Sequence, residues 1–340
     1  MDPYVSVVVT AYNRKKYLPE ALRSLERQTL DKGRFEVVVV KNFEDPASDE
    51  IIRRNGWRWV YSDEKSYGRF LLVGAEDVKG GVLTFLDDDD MYAPERLQVV
   101  ERAFRETEGL AYFHNDQIIV DEEGRPLKNV KDQSDLLIES PSEACDKIFL
   151  AGYINNSSTA VASWLIANVR QMLNRIETQL DLALAAAAAS TGGKMLLSGR
   201  KLTMWRIHRA SYFTKAVQEY GVNRDNWKEA VARLTRTYAL WAADTARILE
   251  NILRYHPCSS FLKYSELTRR LEASAAPNWA LAERPRSSPL DFLRVLDISL
   301  SKNIDASFKY LVVLAVDSVI SRAPNSVRET WWRLRWRLKQ

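Results

Sequence analysis

The chain has 340 residues, of which 46% are hydrophobic and 28% are charged, so it has enough apolar material for a sizeable core and about two domains. Its net charge of +4 is too small to indicate a nucleic-acid-binding protein. The content of 13 Gly and 11 Pro excludes a collagenous or largely disordered chain. The two cysteines, Cys145 and Cys258, cannot form a disulfide framework, which favours a reducing compartment.

Strand and helix patterns alternate over the first 120 residues. β-Branched and apolar runs predict strands at residues 5–10, 35–40, 57–61, 82–86, 110–114 and 117–120. Amphipathic patterns predict helices at residues 18–27 and 69–78. Because helices connect successive strands, the sequence predicts β-α-β units and a parallel sheet.

The pattern becomes mainly helical after residue 141. Residues 163–189 predict a helical region that stops at Gly192 and Gly193, and residues 194–206 predict a return strand. Further helices are predicted at residues 227–254, 259–273, 290–299, 304–320 and 326–339. We therefore expect an α/β domain at residues 1–215 and a helical C-terminal region at residues 216–340. The longest apolar runs, residues 182–189 and 310–316, are far below the roughly 20 residues of a membrane span, so we expect a protein that is soluble or lies on a membrane surface.

Four adjacent aspartates, residues 87–90, directly follow the predicted strand at 82–86, and we call them the acidic loop. In open α/β sheets, ligands bind at the carboxyl ends of the parallel strands. Adjacent carboxylates repel one another, and clustered oxygen atoms suit Mg²⁺ or Mn²⁺ shared with substrate phosphates. The alternative interpretation is that these aspartates bind no ion and form either a solvated surface loop or a helix N-cap ahead of Pro94.

Several motifs in the same order resemble family 2 glycosyltransferases. The matching segments are VSVVVTAYN at residues 5–13, SLERQT at 24–29, FEVVVV at 35–40, GGVLTFLDDDDMYAPERL at 80–97, which looks like the family's Asp-X-Asp segment, and YFHND with IVDEEG at 112–124. The resemblance covers about residues 4–211. It implies a GT-A fold, in which a mostly parallel sheet is flanked by helices, and an inverting transfer from a nucleoside-diphosphate sugar.

The resemblance also implies a donor site. Its nucleotide-binding residues would be Thr10, Ala11, Tyr12, Asn13, Asn42, Arg69, Asp87, Asp88 and Arg206. Tyr12 would stack on or edge the base, although a packed aromatic at a strand end is the alternative. Asp87 and Asp88 would hold ribose and sugar hydroxyls. Arg69 and Arg206 would contact phosphate, but the helix that carries Arg69 departs from the family pattern.

The resemblance likewise implies metal ligands and a base. Asp89 and His208 would hold Mn²⁺ or Mg²⁺, with Asp90 shaping the loop, and a surface histidine is the alternative for His208. Asp181 matches the family's catalytic base, but a leucine replaces its usual acidic neighbour, and an ordinary aspartate in the first turn of a helix is the alternative. Asp116 is expected to bind the acceptor and the sugar, and it is the second candidate for the base.

The end of the second predicted strand departs from the family, which usually has an aspartate where this chain has Asn42. Uracil presents a donor between two acceptors, which Asn can serve, whereas guanine prefers a carboxylate. We therefore expect a UDP-sugar rather than a GDP-sugar donor, although Glu44 or Asp45 could reverse this preference.

The C-terminal segment at residues 326–340 interleaves three tryptophans with basic residues, a pattern typical of helices at membrane interfaces. We expect a cytoplasmic protein that is peripheral on the cytoplasmic face of the membrane and has no nucleic acid partner. Its acceptor is expected to be a hydroxyl or a phosphate of a glycan or a lipid-linked molecule, such as a lipid-linked sugar or a polyprenyl phosphate. The alternatives are helices that only dock on the catalytic domain, or a basic nucleic-acid arm. Two other functions remain open: a non-catalytic sugar-nucleotide or lipid-binding module, and a nucleotidyltransferase.

Overall fold

The computed structural model describes residues 4–76, 78–127, 134–140, 143–144 and 155–208. The predicted domain boundary near residue 215, the helical region at 216–340 and both cysteines lie outside these residues. Among the helices of the described ranges, none is long and apolar enough to cross a membrane.

The described residues form nine β-strands and six α-helices. The strands are β1 (Val5–Ala11), β2 (Phe35–Lys41), β3 (Arg58–Tyr61), β4 (Val82–Asp87), β5 (Met91–Tyr92), β6 (Leu110–Val120), β7 (Leu136–Ile138), β8 (Thr159–Ala162) and β9 (Lys194–Arg206). The helices are α1 (Leu18–Glu26), α2 (Pro46–Arg54), α3 (Tyr67–Gly74), α4 (Arg96–Glu106), α5 (Ser163–Leu173) and α6 (Leu180–Thr191).

All nine strands belong to one sheet, in the order β3-β2-β1-β4-β8-β6-β9-β5, with β7 also paired to β9. The first four strands are parallel, as the sequence predicts. Beyond β4 the sheet is mixed, because β8 is antiparallel to both β4 and β6 while β6 and β9 run parallel. The predicted α/β class is confirmed. The sheet is only partly parallel, because β5, β7 and β8 run antiparallel to the strands with which they pair.

Apolar side chains cover both faces of the sheet. In β1, Val8 packs on one face with α3, α5 and α6, while Val7 and Val9 pack on the other face with α1, α2 and α4. The alternation follows from the two-residue period of a strand. The molecule is therefore built in three layers, with the sheet between two layers of helices.

Several elements differ from their predicted extents. The two strands predicted at 110–114 and 117–120 form the single strand β6, which continues through irregular pairing near residues 115–117. The region predicted as helical at 163–189 contains two helices, α5 and α6, separated by residues 174–179. Helix α2 was not predicted, although Asp45 caps it through a hydrogen bond from the Ser48 N–H and Pro46 occupies its first turn.

Helix α6 places its first turn at the edge of the sheet where β1 and β4 end. It leads directly into β9, which runs parallel to β6 and hence in the direction of β4, so the helix begins at the carboxyl edge. Seven consecutive residues from Ala183 onward are fully buried, and Gly192 ends the helix with a φ of 76°. This packing fixes the position of Asp181 in the first turn.

Candidate active site

Asp87 opens the acidic loop at the end of β4. Its Oδ1 accepts hydrogen bonds from the Thr10 hydroxyl, at 2.9 Å, and from the Tyr67 hydroxyl. The Asp87 N–H donates to the Ser157 hydroxyl at 3.0 Å. Thr10 is 6% exposed and its hydroxyl is hydrogen-bonded to Asp87, so little of its side chain is available for the predicted contact with a nucleoside.

Burial raises the pKa values of three carboxyl groups in the acidic loop, because it destabilises their ionised forms. Burial, helped by the charge of Asp89, raises the pKa of Asp87 to about 6. Burial also raises the pKa of Asp88 to about 8 and holds the pKa of Asp90 well above its usual range. A group of carboxyls in this state gains stability from a bound cation, because the cation lowers the cost of ionising them together.

Arg14 supplies one positive charge to the acidic loop. Its Nε donates to Asp88 Oδ1 at 2.9 Å, and its Nη1 lies 2.8 Å from Asp89 Oδ2. Arg14 was not predicted as a site residue, although it directly follows Asn13 after the polar end of β1. A cation next to a strand-end motif was the signal that could have identified it.

His208 also contacts Asp89. Its Nε2 lies 2.9 Å from Asp89 Oδ2, and its ring packs against the Tyr17 ring with centroids 4.7 Å apart. His208 is 4% exposed, so the alternative of a surface histidine is wrong. The structure brings together the two residues that the resemblance assigns to a metal.

The residues of the acidic loop fit a divalent cation. Asp87, Asp89 and Asp90 can each offer one carboxylate oxygen, all within 4.8 Å of one another. In addition, Asp88 Oδ2 is buried and has no hydrogen-bond partner among the residues that the structure describes. Clustered carboxylate oxygens are the donors that Mg²⁺ and Mn²⁺ prefer.

Arg206 hydrogen-bonds to the acidic loop and holds it in place. This position does not fit its predicted contact with phosphate. Its side chain is completely buried, and its Nε donates to the Asp89 carbonyl at 2.9 Å. Its Nη1 donates to the Glu122 carbonyl at 2.6 Å, and its Nη2 donates to Glu20 Oε2 at 2.6 Å. The backbone N–H of Arg206 also donates to Asp90 Oδ1 at 2.9 Å. Because protein acceptors occupy the whole guanidinium, Arg206 acts as a brace.

Two asparagines and a tyrosine form the outer end of β1 and β2. The Asn13 N–H donates to Asn42 Oδ1, and Asn42 Nδ2 donates to Asn13 Oδ1, both at 2.8 Å. This pair supports Asn13 in a left-handed conformation with φ of 55°. Tyr12 is 37% exposed, and its ring meets the Phe70 ring edge to face. Ala11, by contrast, is fully buried.

Arg69 lies on α3 and is held by neighbours outside the acidic loop. Its Nε donates to Glu64 Oε2 at 2.8 Å, and its Nη1 lies 3.9 Å from Glu177 Oε1. Within the described residues it forms no hydrogen bond or ion pair with the acidic loop. The Arg69 side chain is therefore paired with carboxylates outside the acidic loop, and its contact with phosphate stays a prediction.

Asp181 has the properties of a base that titrates near neutral pH. It is half-buried at the start of α6, and its Oδ1 accepts the Leu182 N–H at 2.8 Å. Burial, together with the charge of Asp87, raises the pKa of Asp181 to about 6. The electrostatic effect of Asp87 is consistent with the shared edge of the sheet on which both residues lie.

Within the part of the chain that the structure describes, several buried polar atoms on β6 and in the turn before β8 have no hydrogen-bond partner. The atoms are His114 Nε2, Asp116 Oδ2, Asn155 Nδ2, Asn156 Oδ1 and Ser158 Oγ. His114 stacks parallel to Tyr112 and pairs across the sheet with Thr159, which places it on the α6 face. Burial lowers the pKa of His114 to about 3, so its imidazole is neutral. Of these residues, only Asp116 was predicted from the sequence as a site residue.

The fold and this acidic edge define a GT-A-like α/β protein. Crystal structures of Staphylococcus aureus TarS residues 1–349 superpose on the chain, one with UDP-GlcNAc at a TM-score of 0.57 and one with UDP at 0.52. The first covers 97% of this chain and 92% of TarS at 17% identity, and the second covers 90% and 91% at 15% identity. Similarity at this identity establishes the fold.

The family model described as Glycosyl transferase family 2 matches residues 6–143 of the chain. An uncharacterized glycosyltransferase of Haemophilus influenzae is 36% identical over 107 residues, which are 29% of this chain and 35% of that protein. An undecaprenyl-phosphate 4-deoxy-4-formamido-L-arabinose transferase of Pseudomonas aeruginosa is 36% identical over 116 residues, 30% and 34% of the two chains. The matches thus span about a third of the length of these curated relatives.

Proposed function

We propose that the chain is an inverting glycosyltransferase that moves a sugar from a UDP-sugar to an acceptor hydroxyl. The observation that carries this proposal is the placement of the acidic loop, in the family-matched segment, at the same edge of the sheet as Asp181. The acidic loop offers clustered carboxylates for a divalent ion and the Arg14 guanidinium for a diphosphate. Asp181 offers a base with a pKa of about 6.

The donor proposal rests on the ends of β1 and β2. Tyr12 is partly exposed and could stack on a base, and Asn42 offers both a donor and an acceptor, as uracil requires. Asp45 is already used to cap α2, which leaves the exposed Glu44 as the carboxylate that could favour guanine instead. Two of the similar crystal structures contain UDP-GlcNAc and UDP, which agrees with a uridine nucleotide.

Asp89 and His208, with Asp87 and Asp90 close by, are the residues that would hold Mn²⁺ or Mg²⁺. When bound, such an ion neutralises the negative charge that develops on the departing nucleoside diphosphate. The chain's own contribution is to hold these side chains in place. Arg206 does so by binding the carbonyl of Asp89 and the carboxylate of Asp90 at once.

Asp181 is proposed to act as the general base. The acceptor oxygen attacks the anomeric carbon, the bond from this carbon to the diphosphate oxygen breaks, and the electron pair leaves with the diphosphate. The proton of the attacking hydroxyl goes to the Asp181 carboxylate. Attack from the face opposite the leaving group inverts the configuration. A phosphate acceptor is already ionised and has no need of this base, so the proposed role favours a hydroxyl.

The acceptor is proposed to be a glycan carried on a lipid. Among the described residues, Asp116 Oδ2, His114 Nε2 and Asn156 Oδ1 are buried without a hydrogen-bond partner, and sugar hydroxyls could supply these partners. The P. aeruginosa relative is named for an undecaprenyl phosphate substrate. Residues 326–340, which lie outside the described residues, are proposed to bring the protein to the cytoplasmic membrane face through their tryptophans and basic residues.

The experiment that tests this function follows the consumption of the donor. The full chain is incubated with Mn²⁺, a panel of UDP- and GDP-sugars, and membrane lipid-linked glycans, and the release of nucleoside diphosphate is measured. Release of UDP with transfer of the sugar to the lipid fraction supports the proposal. Binding of a nucleotide sugar without turnover supports a binding module, and release of pyrophosphate from a nucleoside triphosphate supports a nucleotidyltransferase.

A further inference from the structure

One oxygen of the acidic loop has two nitrogen partners already. Asp89 Oδ2 lies 2.8 Å from Arg14 Nη1 and 2.9 Å from His208 Nε2. Arg14 also donates from Nε to Asp88 Oδ1 at 2.9 Å. The guanidinium therefore provides the positive charge that the buried carboxyls need.

We propose that Arg14 is a resident counter-cation that competes with the divalent ion for Asp89 and moves to the donor diphosphate when donor and ion bind together. The inference rests on the proposed function, because it needs a metal and a diphosphate at the acidic loop. Two cations a few ångströms apart repel each other, so a divalent ion at Asp89 weakens the hold of the guanidinium on the same carboxylate.

Arg14 is placed so that such an exchange is feasible. Its side chain is 24% exposed and extends from the loop after β1, whereas Arg206 is completely buried among protein acceptors. A guanidinium binds phosphate oxygens through the same paired N–H geometry with which it binds carboxylates. A diphosphate next to the acidic loop can therefore replace the partners that Arg14 loses.

The exchange couples the affinities for the ion and for the diphosphate. In the free protein Arg14 lowers the affinity for the ion, and this effect is removed when Arg14 binds the diphosphate instead. Each ligand therefore increases the affinity for the other by the same factor. Replacing Arg14 by an uncharged residue removes the competitor. The ion alone then binds more tightly, and the diphosphate enhances its binding less.

The test measures Mn²⁺ binding by isothermal titration calorimetry on the full chain, with and without UDP, for wild type and Arg14→Met. We expect Arg14→Met to bind Mn²⁺ alone at least about fivefold more tightly, and the enhancement by UDP to shrink by at least about fivefold. Arg53→Met is the matched control, since Arg53 pairs with Glu50 on α2 and is 75% exposed. It should bind Mn²⁺ as wild type does.

Arg14→Gln keeps hydrogen-bonding capacity without charge, and it provides the same comparison if the methionine variant does not fold. Damage to the site weakens Mn²⁺ binding, so tighter binding cannot arise from a merely structural role of Arg14. Equal or weaker Mn²⁺ binding by the folded variant, with wild type still binding Mn²⁺ and UDP together, overturns the role of Arg14 alone. Absence of Mn²⁺ binding by wild type even with UDP overturns both this role and the proposed metal site.

Discussion

The sheet has two halves that contribute to the proposed active site in different ways. In β1 to β4 every pairing is parallel, and the strand ends carry the Asn13–Asn42 pair and the acidic loop. In β5 to β9 the pairings are mixed, and the polar residues lie within a strand, in a short turn and at the start of α6. The comparison suggests that the parallel half binds the donor and that the mixed half carries the acceptor and the base.

The two halves also differ in how far the sequence predicted them. Runs such as VSVVVT and FEVVVV are buried on both faces and end in polar residues, so their strands and the acidic loop could be predicted. Strand β8 has only four residues, TAVA, and its partners are distant in sequence, so no local pattern indicates it. The roles of Arg14 and Arg206 depend on contacts between residues 74 to 186 positions apart, which a sequence pattern cannot show.

The largest effect is expected for Asp181, which lies in the mixed half, because its replacement should reduce transfer without changing donor binding. Replacing Asp181 by Asn removes the proton acceptor but keeps the shape of the side chain, so sugar transfer should fall by about 10²- to 10⁴-fold. Binding of UDP, measured by calorimetry in the presence of Mn²⁺, should stay unchanged because the parallel half is intact. Full transfer activity in this variant would eliminate Asp181 as the base.

The next prediction concerns the link between the halves, since Arg206 at the end of β9 braces the loop at the end of β4. Arg206→Met leaves the Asp89 and Glu122 carbonyls without their donor and removes the ion pair with the 42%-exposed Glu20, so the free energy of unfolding should fall by about 1–3 kcal/mol. The control is Arg125→Met, because Arg125 is 72% exposed and should cost less than about 0.5 kcal/mol. Urea denaturation measures both, and equal stabilities would show that Arg206 is no brace.

The pH dependence of transfer provides a third prediction. Asp181 must be ionised to accept a proton, so activity should fall about tenfold per pH unit below its pKa of about 6 and level off above it. The charged or titratable neighbours that act on it are Asp87 and Tyr112, and the pKa of Tyr112 is raised by burial, which keeps that group neutral throughout this range. The inflection should vanish from the residual activity of Asp181→Asn, and its persistence would assign it to another group.

The smallest effect is expected at the base-binding end of the parallel half. Asn42→Asp keeps the oxygen that accepts the Asn13 N–H but loses the donor, so the ratio of UDP to GDP affinities should shift toward GDP by about fivefold, near the ~1 kcal/mol of one hydrogen bond. Competition binding with both nucleotides measures the ratio. Glu44→Gln is the matched variant: a shift there and none at Asn42 would show that Glu44 contacts the base.

The most direct test of the account is the binding of a UDP-sugar to the acidic loop. Thermal unfolding of the full chain is measured with UDP-GlcNAc, with and without Mn²⁺, for wild type, Asp89→Ala and Asp31→Ala, an exposed aspartate in the turn before β2. The account predicts Mn²⁺-dependent stabilisation, about 2.7 kcal/mol at 100 times Kd, in wild type and Asp31→Ala and its loss in Asp89→Ala. Equal stabilisation of all three variants, or no stabilisation of wild type by any nucleotide sugar, would contradict it.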